Sequence, residues 1–351
     1  MLNRAPGKIS VVMTVLNEGG SIDKVIESLM NQTRLPDEIV VCDGGSSDDT
    51  AARLDKMAAG GAPLKVVIAK GACRGAGRNR AIEAASHPYI ALTDAGNFAA
   101  ENWLELLASP PAADGGIEIV YGTVMPIIDN RFDACLAALT IGSSHVNGRL
   151  SPSAASLLFT KRLWQDVGGF PEGLTTVEDL IFIERLKNSG AGSATVPEAL
   201  VSWSLPTTFT GVYRRSKGYS RGSLTAGYGT LWHRGTLRNL AVYAATAAVG
   251  LFVYPALVVL PALPHMLRVH RYLSRMPWFR HRGAADAALN YLTAGALLAV
   301  LDAATLHGLY LWVFKDGCRR KEIGGLTSRG AANPDDARNA NEPKNGGWKL
   351  E

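Results

Sequence analysis

The fold of this chain is decided by the stretch Glu38-Ile39-Val40-Val41-Cys42-Asp43-Gly44-Gly45-Ser46-Ser47-Asp48-Asp49-Thr50. Residues 39–42 have the length and the β-branched content of a buried strand. The glycine pair after Asp43 allows a sharp turn and a close approach of the backbone to a ligand, and residues 46–50 supply helix N-cap chemistry. Ligands of open α/β sheets bind beyond the carboxyl ends of the strands, so Asp43 is predicted to face a ligand.

Apolar strand-like runs alternate with helix-like segments on both sides of this stretch. The predicted strands cover residues 9–16, 39–42, 64–69 and 89–93, and the predicted helices cover residues 21–31, 50–59 and 77–85. This order predicts an α/β fold with a mostly parallel sheet covered on both faces. A more mixed portion from about residue 117 to residue 205 holds two further strand candidates, 117–121 and 156–159.

Length and composition exclude several classes of protein. The chain has 351 residues, of which 47% are hydrophobic, so it is predicted to fold into one sizeable domain plus further elements. Its four cysteines show no CxxC pairing, which favours reduced thiols over disulfides or a zinc site. The first apolar run is strand-sized and ends in Asn17-Glu18, so it does not resemble a signal peptide.

Acidic residues are absent from positions 199–285, whereas 11 basic residues lie there. The rest of the chain carries 25 basic and 31 acidic residues. A solvated basic face would account for this pattern, but its length favours an anionic partner: membrane lipid, pyrophosphate or nucleic acid. The basic residues interleave with long uncharged apolar runs, which argues against nucleic acid.

Two apolar segments, residues 240–263 and 287–314, are each long enough to cross a bilayer, which takes about 20 residues. Asp302 lies near the middle of the second segment, a costly position unless it faces protein. Two buried core helices are the alternative, but the basic flanks favour membrane association. Because the connection 268–282 and both outer flanks are basic, a simple transmembrane hairpin conflicts with the positive-inside tendency, and re-entrant or interfacial helices stay open.

Four acidic residues, Glu18, Asp43, Asp94 and Asp179, follow strand-like runs or begin a helix-like one. An isolated acid after a strand is usually part of a turn or a helix cap. Four of them, in an order that brings them to one edge of a sheet, favour a binding site.

Several motifs stand in the order found in family 2 glycosyltransferases of the GT-A fold. They are Val11-Val12-Met13-Thr14-Val15-Leu16-Asn17-Glu18, Asp43-Gly44-Gly45-Ser46-Ser47-Asp48, Gly77-Arg78-Asn79-Arg80-Ala81, Thr93-Asp94-Ala95-Gly96, Val167-Gly168-Gly169-Phe170 and Glu178-Asp179. Over about residues 8–223 the chain resembles an inverting, bacterial membrane-associated member of this family.

This resemblance implies three parts. Residues 1–223 would form a Rossmann-like GT-A domain, a nucleotide-diphospho-sugar transferase, and residues 224–321 two apolar membrane helices with a basic connection. Residues 322–351, rich in Gly, Asn, Asp and Pro, are predicted to be disordered.

The resemblance also implies a site for a nucleotide-diphospho-sugar donor. Asp43 would accept a hydrogen bond from the base, and Thr14, Leu16 and Glu18 would line the same pocket. Arg78, with its neighbour Asn79, would lie near the phosphates; the alternative for Arg78 is a surface helix cation.

A divalent cation, Mg²⁺ or Mn²⁺, is implied at Asp94, where it would bridge the diphosphate oxygens and act as a Lewis acid for the leaving group. The sequence departs from the family pattern here, because Gly96 replaces the second aspartate of Asp-x-Asp. Asn97 or a water would then complete the coordination.

Asp179 is the implied general base, which would deprotonate the acceptor hydroxyl, and Glu178 would orient it or line the acceptor pocket. The alternative is structural, because Thr175 and Thr176 followed by two acids also resemble the capped start of a helix. Both roles are compatible.

The basic residues Arg214, Arg215 and Arg221 fall where many processive relatives carry Gln-x-x-Arg-Trp. The full motif is absent, which argues against a processive polymerase. These arginines are predicted to contact donor phosphates, an acceptor pyrophosphate or the membrane surface.

The sequence thus predicts transfer of a sugar to a lipid-linked or cell-surface glycan acceptor, by a catalytic domain on the cytoplasmic side of the inner membrane. The predicted partners are the donor, the acceptor and membrane lipids, with no nucleic acid. Two alternatives are a catalytically degenerate GT-A membrane scaffold and a nucleotidyltransferase of similar fold. The basic, glycine-rich N-terminal motif expected of a nucleotidyltransferase is missing.

Overall fold

The computed structural model describes residues 7–140, 153–228, 233–253, 261–276 and 283–316. Its strands are β1 (Ile9–Val15), β2 (Glu38–Asp43), β3 (Leu64–Ile68), β4 (Tyr89–Leu92), β5 (Asn97–Ala99), β6 (Ile117–Pro126), β7 (Leu157–Thr160) and β8 (Gly192–Trp203). They form one eight-stranded sheet in the order β3-β2-β1-β4-β7-β6-β8-β5.

The helices between the strands follow the predicted alternation. They are α1 (Ile22–Met30), α2 (Thr50–Ala59), α3 (Arg74–Ala84), α4 (Trp103–Ala113), α5 (Arg131–Thr140), α6 (Lys161–Asp166) and α7 (Glu178–Asn188). The C-terminal helices are α8 (Phe209–Thr225), α9 (His233–Val253), α10 (Ala262–Leu273) and α11 (Ala284–Phe314).

Strands β1 to β4 are parallel, and β1 lies between β2 and β4. Six of the seven residues of β1 are buried, as expected for a central parallel strand covered on both faces. All four predicted strands of this half are confirmed to within one residue at each end. Helix α3 begins three residues earlier than predicted, because the glycines in its first turns are closely packed, Gly77 against β1 and β2 and Gly75 against Pro171, rather than left in a loop.

The sheet carries a hydrophobic core on each face. Helix α1 packs on one face through Ile22, Val25, Ile26 and Leu29, which recur at the spacing of a single helix side. The other face is covered by α3, α6 and α7, where Phe159, Phe170 and Phe182 pack ring against ring. These two layers hold the carboxyl ends of the parallel strands rigid.

A third core joins the C-terminal helices to the sheet domain. Side chains of α5, α8, α10 and α11 meet in it, including Leu136, Val212, Leu273 and Leu297. An ion pair between Arg131 of α5 and Asp286 of α11, with 2.8 Å between Nη2 and Oδ1, reinforces the contact. Helices α8, α10 and α11 therefore pack together with α5 of the sheet domain.

The structure divides the predicted membrane segments differently from the sequence analysis. The first apolar segment spans parts of α9 and α10, and residues 254–260 between them lie outside the described residues. Residues 268–273 of the predicted basic connection belong to helix α10, so a third helix stands between the two that were expected. Among the described residues, one helix, α11, is long and apolar enough to cross a membrane by its length and composition. The predicted tail, 322–351, lies outside the described residues.

Candidate functional site

Three of the four predicted acidic residues lie at the carboxyl ends of adjacent parallel strands. Asp43 is the last residue of β2 and pairs in register with Val15, the last residue of β1. Glu18 follows β1 by three residues, and Asp94 follows β4, the neighbour of β1 on its other side, by two. This edge is where ligands of open α/β sheets bind.

Asp43 is buried and organises the loop that follows it. Its Oδ1 accepts hydrogen bonds from the backbone N of Gly45 at 2.8 Å and from the backbone N of Ser46 at 2.7 Å. Gly45 has a φ of +98°, a conformation that favours glycine. One oxygen of Asp43 therefore serves the fold of its own loop, and Oδ2 takes no part in these bonds.

The loops after β1 and β2 are joined by hydrogen bonds that the sequence analysis missed. Asn17 donates from its backbone N to Ser46 Oγ at 2.9 Å, and its Oδ1 accepts from Ser47 N at 2.8 Å. The backbone N of Glu18 donates to Thr50 Oγ1 at 2.9 Å. Serine, threonine and asparagine in such loops are the sequence signal for these bonds, because they bond readily to nearby backbone.

Arg78 stands at the centre of the site. Its Nη2 donates to Asp94 Oδ1 at 2.6 Å and its Nη1 donates to Glu178 Oε1 at 2.9 Å, while the side chain is 2% exposed. The guanidinium carbon also lies 5.3 Å from the centre of the Phe170 ring. Burial alone would lower the pKa of Arg78, but the Asp94 and Glu178 carboxylates outweigh it and raise that pKa, so the side chain stays charged.

Two glycines let α3 carry Arg78 this deep. A β-carbon on Gly75 would overlap the carbonyl oxygen of Pro171, and one on Gly77 would lie 2.9 Å from Thr14 Cγ2. Helix α3 therefore touches both β1 and the segment before α7, and any larger residue would push it away. Two glycines in one helix turn are a sequence signal of close packing, although no role was predicted for them above.

Asn79, predicted to bind the donor, is used structurally. Its Nδ2 donates to the carbonyl of Phe170 at 2.9 Å and to Glu172 Oε1 at 3.0 Å. Its Oδ1 accepts from the backbone N of Phe170 at 2.9 Å and from Trp164 Nε1 at 3.2 Å. Asn79 thus fixes the Gly-Gly-Phe turn that leads towards α7 and has no hydrogen-bonding capacity left over for a ligand.

Glu178 and Asp179 begin α7, and their surroundings differ. Glu178 is buried, and burial raises the pKa of its carboxyl, with the Asp179 carboxylate adding to the effect and Arg78 opposing it. Asp179 is half-buried, and its Oδ1 accepts a hydrogen bond from the backbone N of Leu180 at 2.9 Å. Helix α7 starts after Val177 without a side-chain cap, so the expected threonine cap is not formed, while Asp179 lies in the first turn with a partly exposed carboxylate.

The residue before this pair has an unusual backbone. Val177 has a φ of +72° and a ψ of −2°, in the left-handed region that a β-branched residue rarely adopts. Such a conformation costs about 1–3 kcal/mol and is found mostly where the surrounding structure fixes it, often at active sites. It turns the chain so that Glu178 enters the core while Asp179 stays partly exposed.

The carboxylates at and near Asp94 can hold a divalent cation together with substrate oxygens. Asp94 is about one third exposed, and Arg78 takes only its Oδ1. Gly96 has a φ of +82°, and a β-carbon there would lie 3.9 Å from Glu18 Oε2, so the Glu18 carboxylate faces the place of the missing aspartate. Mg²⁺ is commonly held by one or two carboxylates plus phosphates and water, which these residues fit.

Among the described residues, no group of three or more His, Cys, Asp or Glu is arranged to hold a metal. Asn97 is buried in β5, and its backbone N donates to the Asp94 carbonyl at 3.2 Å. Thr14 is half-buried beside α3, and Leu16 is exposed beyond the end of β1. The roles of Thr14, Leu16 and Asn97 stay predictions, whereas Asn79 is saturated by protein contacts.

The three arginines of α8 have different surroundings. Arg214 is exposed; Arg215 stacks its guanidinium 4.4 Å from the centre of the Trp203 ring; and Arg221 pairs with Asp316 beyond α11, with 2.6 Å between Nε and Oδ2. Trp203 pairs with Asn97 across β8 and β5, so Arg215 lies near the loop that contains Asp94. Arg221 instead contacts the end of α11 through Asp316.

Residues 10–148 match the family model described as Glycosyl transferase family 2. Over these residues the chain is similar to family 2 glycosyltransferases. The resemblance inferred from the motifs is thereby confirmed.

A curated relative of this domain is the chondroitin synthase of Escherichia coli. The two are 25% identical over 195 residues, which make up 54% of this chain and 28% of that protein. This chain thus matches less than a third of the length of that relative.

Among solved structures, the mannosyltransferase PcManGT from Pyrobaculum calidifontis, in complex with GDP-Man and Mn²⁺, is similar over 88% of this chain and 87% of its own, with 17% identity and a TM-score of 0.50. At this identity the likeness shows the fold alone, and it confirms the predicted GT-A fold.

Proposed function

We propose that this glycosyltransferase transfers a sugar, with inversion, from a nucleotide-diphospho-sugar to a lipid-linked or cell-surface glycan acceptor. The observation that carries the proposal is the Arg78 bridge, which brings Asp94 and Glu178 to one guanidinium at the carboxyl edge of the parallel strands. The charge of a donor diphosphate must be neutralised, and an acceptor hydroxyl must lose its proton to a base. This cluster contains both a cation and carboxylates.

In the proposed reaction Asp179 is the general base. Its carboxylate takes the proton of the acceptor hydroxyl as that oxygen attacks the anomeric carbon, and the bond from this carbon to the diphosphate oxygen breaks on the opposite face. Attack opposite to the leaving group inverts the anomeric centre. The buried pair of Glu178 and Arg78 holds the first turn of α7, and with it Asp179, in place.

Asp43 and Glu18 would bind the donor, with Asp43 reading the base beyond the end of β2. Asp94 would hold Mg²⁺ or Mn²⁺ against the diphosphate, with Glu18 as a second carboxylate. The cation would supply charge neutralisation for the leaving nucleoside diphosphate.

Membrane association is proposed from the surface of the C-terminal helices. Of 20 large apolar side chains that are exposed in the described part of the chain, 13 lie on α9, α10 and α11, among them Phe252 and Phe314. Exposed apolar surface on this scale marks a contact with a partner or a membrane. Because α11 packs against α5 and α8 along one side, we propose that its other side lies in the inner membrane, with the catalytic domain on the cytoplasmic face, where nucleotide sugars are made.

The direct test is a panel of nucleotide sugars incubated with the full chain in membranes, with Mn²⁺, with Mg²⁺ and with a chelator. We expect one donor to be consumed, with release of its nucleoside diphosphate, and the chelator to suppress the reaction. A chain that neither binds nor consumes any donor of the panel would contradict the proposal.

A catalytically inactive scaffold is the second candidate, and Gly96 is the observation that favours it. Donor binding without turnover, even when acceptor-bearing membranes are supplied, would support the scaffold. Turnover with any donor would exclude it.

A further inference from the structure

Helix α8 lies between the apolar helix α11 and the segment that begins the catalytic helix α7. The two contacts are made at glycines. A β-carbon on Gly222 would overlap Thr176 Oγ1 and lie 3.0 Å from Thr176 Cβ. A β-carbon on Gly308 of α11 would overlap Ser220 Oγ and lie 2.8 Å from the backbone oxygen of Lys217.

The contact between α8 and Thr176 lies only a few covalent bonds along the chain from Glu178 and Asp179. Thr176 is buried and directly precedes Val177, whose left-handed backbone starts α7 at Glu178. Because Thr176 is bonded directly to Val177, a displacement of Thr176 away from α8 also moves Val177, and a shift of Val177 changes the directions of both Glu178 and Asp179. Gly222 is therefore connected to the carboxylate pair through Thr176 and Val177.

The contact between α8 and α11 is equally close and is held by polar bonds. Ser220 Oγ donates to the carbonyl of Thr305 at 2.8 Å, and the Tyr213 hydroxyl bonds to His307 Nδ1. Arg221 pairs with Asp316 at the end of α11. Because protein interiors are close-packed and barely compressible, a displacement of α11 is passed on in part through α8.

We propose that the position of α11 determines, through α8, the geometry of the Glu178–Asp179 pair, with Gly222 and Gly308 as positioning residues. The catalytic consequence rests on the function proposed above. The position of α11, the helix with an exposed apolar side, then controls the rate of transfer and not the binding of the donor.

The chain offers matched controls for both glycines. Gly218 lies on α8 with nothing within 4 Å of its β-carbon position, and at Gly295 of α11 that position has its nearest neighbours at 3.8 Å. Alanine favours a helix over glycine by about 1 kcal/mol at any of these positions, so Gly218→Ala and Gly295→Ala report helix propensity without the overlap.

The kinetic test compares the four alanine variants of the full chain in membranes. We expect Gly222→Ala to lower kcat about 100-fold, as misplacement of catalytic groups by about 1 Å does, with the donor KM within about twofold of wild type. Gly308→Ala should lower kcat about tenfold, since α8 relaxes part of the displacement, with the KM again unchanged. Gly218→Ala and Gly295→Ala should behave as wild type.

A compensating variant separates positioning from general damage. Thr176→Ala removes the Oγ1 that a β-carbon on Gly222 would overlap and leaves contacts of 3.0 Å or more, so the double variant Thr176→Ala/Gly222→Ala should recover most of the kcat of Thr176→Ala alone. A Gly222→Ala enzyme as fast as Gly218→Ala, or a double variant no faster than Gly222→Ala, would overturn the proposal.

A second measurement does not depend on activity. The charged groups that face Glu178 are Arg78 and Arg74 of α3 and Asp179 of its own helix, and burial among them raises its pKa. Gly222→Ala should change the pH dependence of the unfolding free energy, because it displaces Glu178, and Gly218→Ala should not. If the wild type turned over no donor, the proposed function would fail while this comparison still decided the inference: identical pH dependences would overturn it.

Discussion

Arg78 and Glu178 form an ion pair in which both side chains are 2% exposed and 2.9 Å separates Nη1 from Oε1. They are 100 residues apart in sequence, so the pair ties helix α3 to the first turn of α7. The same guanidinium reaches Asp94 at the end of β4. One guanidinium therefore fixes the end of β4 relative to the first turn of α7.

Replacing Arg78 should damage stability as well as activity. Arg78→Met leaves Glu178 buried without its partner, and breaking a buried pair in this way costs about 3–5 kcal/mol. Urea unfolding measures the loss. Arg80→Met is the matched control, because Arg80 forms an exposed pair with Glu83 on the same helix, and such surface changes stay within about 0.5 kcal/mol. Equal effects of the two substitutions would show that the buried pair does not hold the site together.

The raised pKa of Glu178 predicts a dependence of stability on pH. Above the usual value of 4.5, the folded protein keeps a proton that the unfolded chain has lost, so the free energy of unfolding falls as pH rises from 4.5 through the raised pKa. Glu178→Gln removes this decline, which urea unfolding across that pH range can measure. Glu198→Gln, at an exposed glutamate, should keep it. The prediction fails if Glu178→Gln follows the wild-type curve.

Glu18 is predicted to take over from the missing second aspartate. Glu18→Gln should weaken Mn²⁺ binding about 10-fold, the lower end of the effect for groups that support a metal site, when Mn²⁺ is titrated in the presence of a nucleoside diphosphate. Electron paramagnetic resonance of free Mn²⁺ gives the affinity without any turnover. Glu27→Gln, on the exposed side of α1, is the control. An unchanged Mn²⁺ affinity in Glu18→Gln would remove Glu18 from the metal site.

The exposed side of the C-terminal helices is predicted to bind lipid. Phe252 is 89% exposed and Phe314 is 72% exposed. Burying a side chain of this size is worth about 1.5–3 kcal/mol, so Phe252→Ser and Phe314→Ser should each weaken partitioning into vesicles about 10-fold or more. Flotation with phosphatidylethanolamine–phosphatidylglycerol vesicles measures the bound fraction. Leu35→Ser, on the sheet domain and 57% exposed, should leave it unchanged, and equal binding by all variants would refute a membrane contact at this surface.

The sequence predicted the parallel half of the fold well, because local patterns determine it. The order of apolar residues within a short segment is enough to identify the buried strand at residues 39–42. It is also enough to identify helix α1, whose apolar residues Ile22, Val25, Ile26 and Leu29 have amphipathic spacing. Placing Asp43 and Asp94 at one edge followed from the rule that parallel strands end on the same side.

The sequence did not predict how the site is held together, because the contacts are long-range. Arg78 bonds to Glu178, 100 residues away, and Asn79 bonds to Phe170, 91 residues away, so neither contact is visible in a short segment of sequence. The left-handed Val177 has no local signal, since valine is a poor choice for that conformation. The helix α10 was missed because arginines were interpreted as a basic connection instead of one face of a helix.

The most direct test of the account is the rate of sugar transfer by Asp179→Asn, with Asp166→Asn at an exposed position of α6 as control. Single-turnover kinetics with the donor found in the panel would separate donor binding from the chemical step. We predict that Asp179→Asn lowers the rate of the chemical step by about 10²–10⁴, the usual contribution of a general base, while donor affinity stays unchanged. An Asp179→Asn enzyme as fast as Asp166→Asn would contradict the central claim that this carboxylate activates the acceptor.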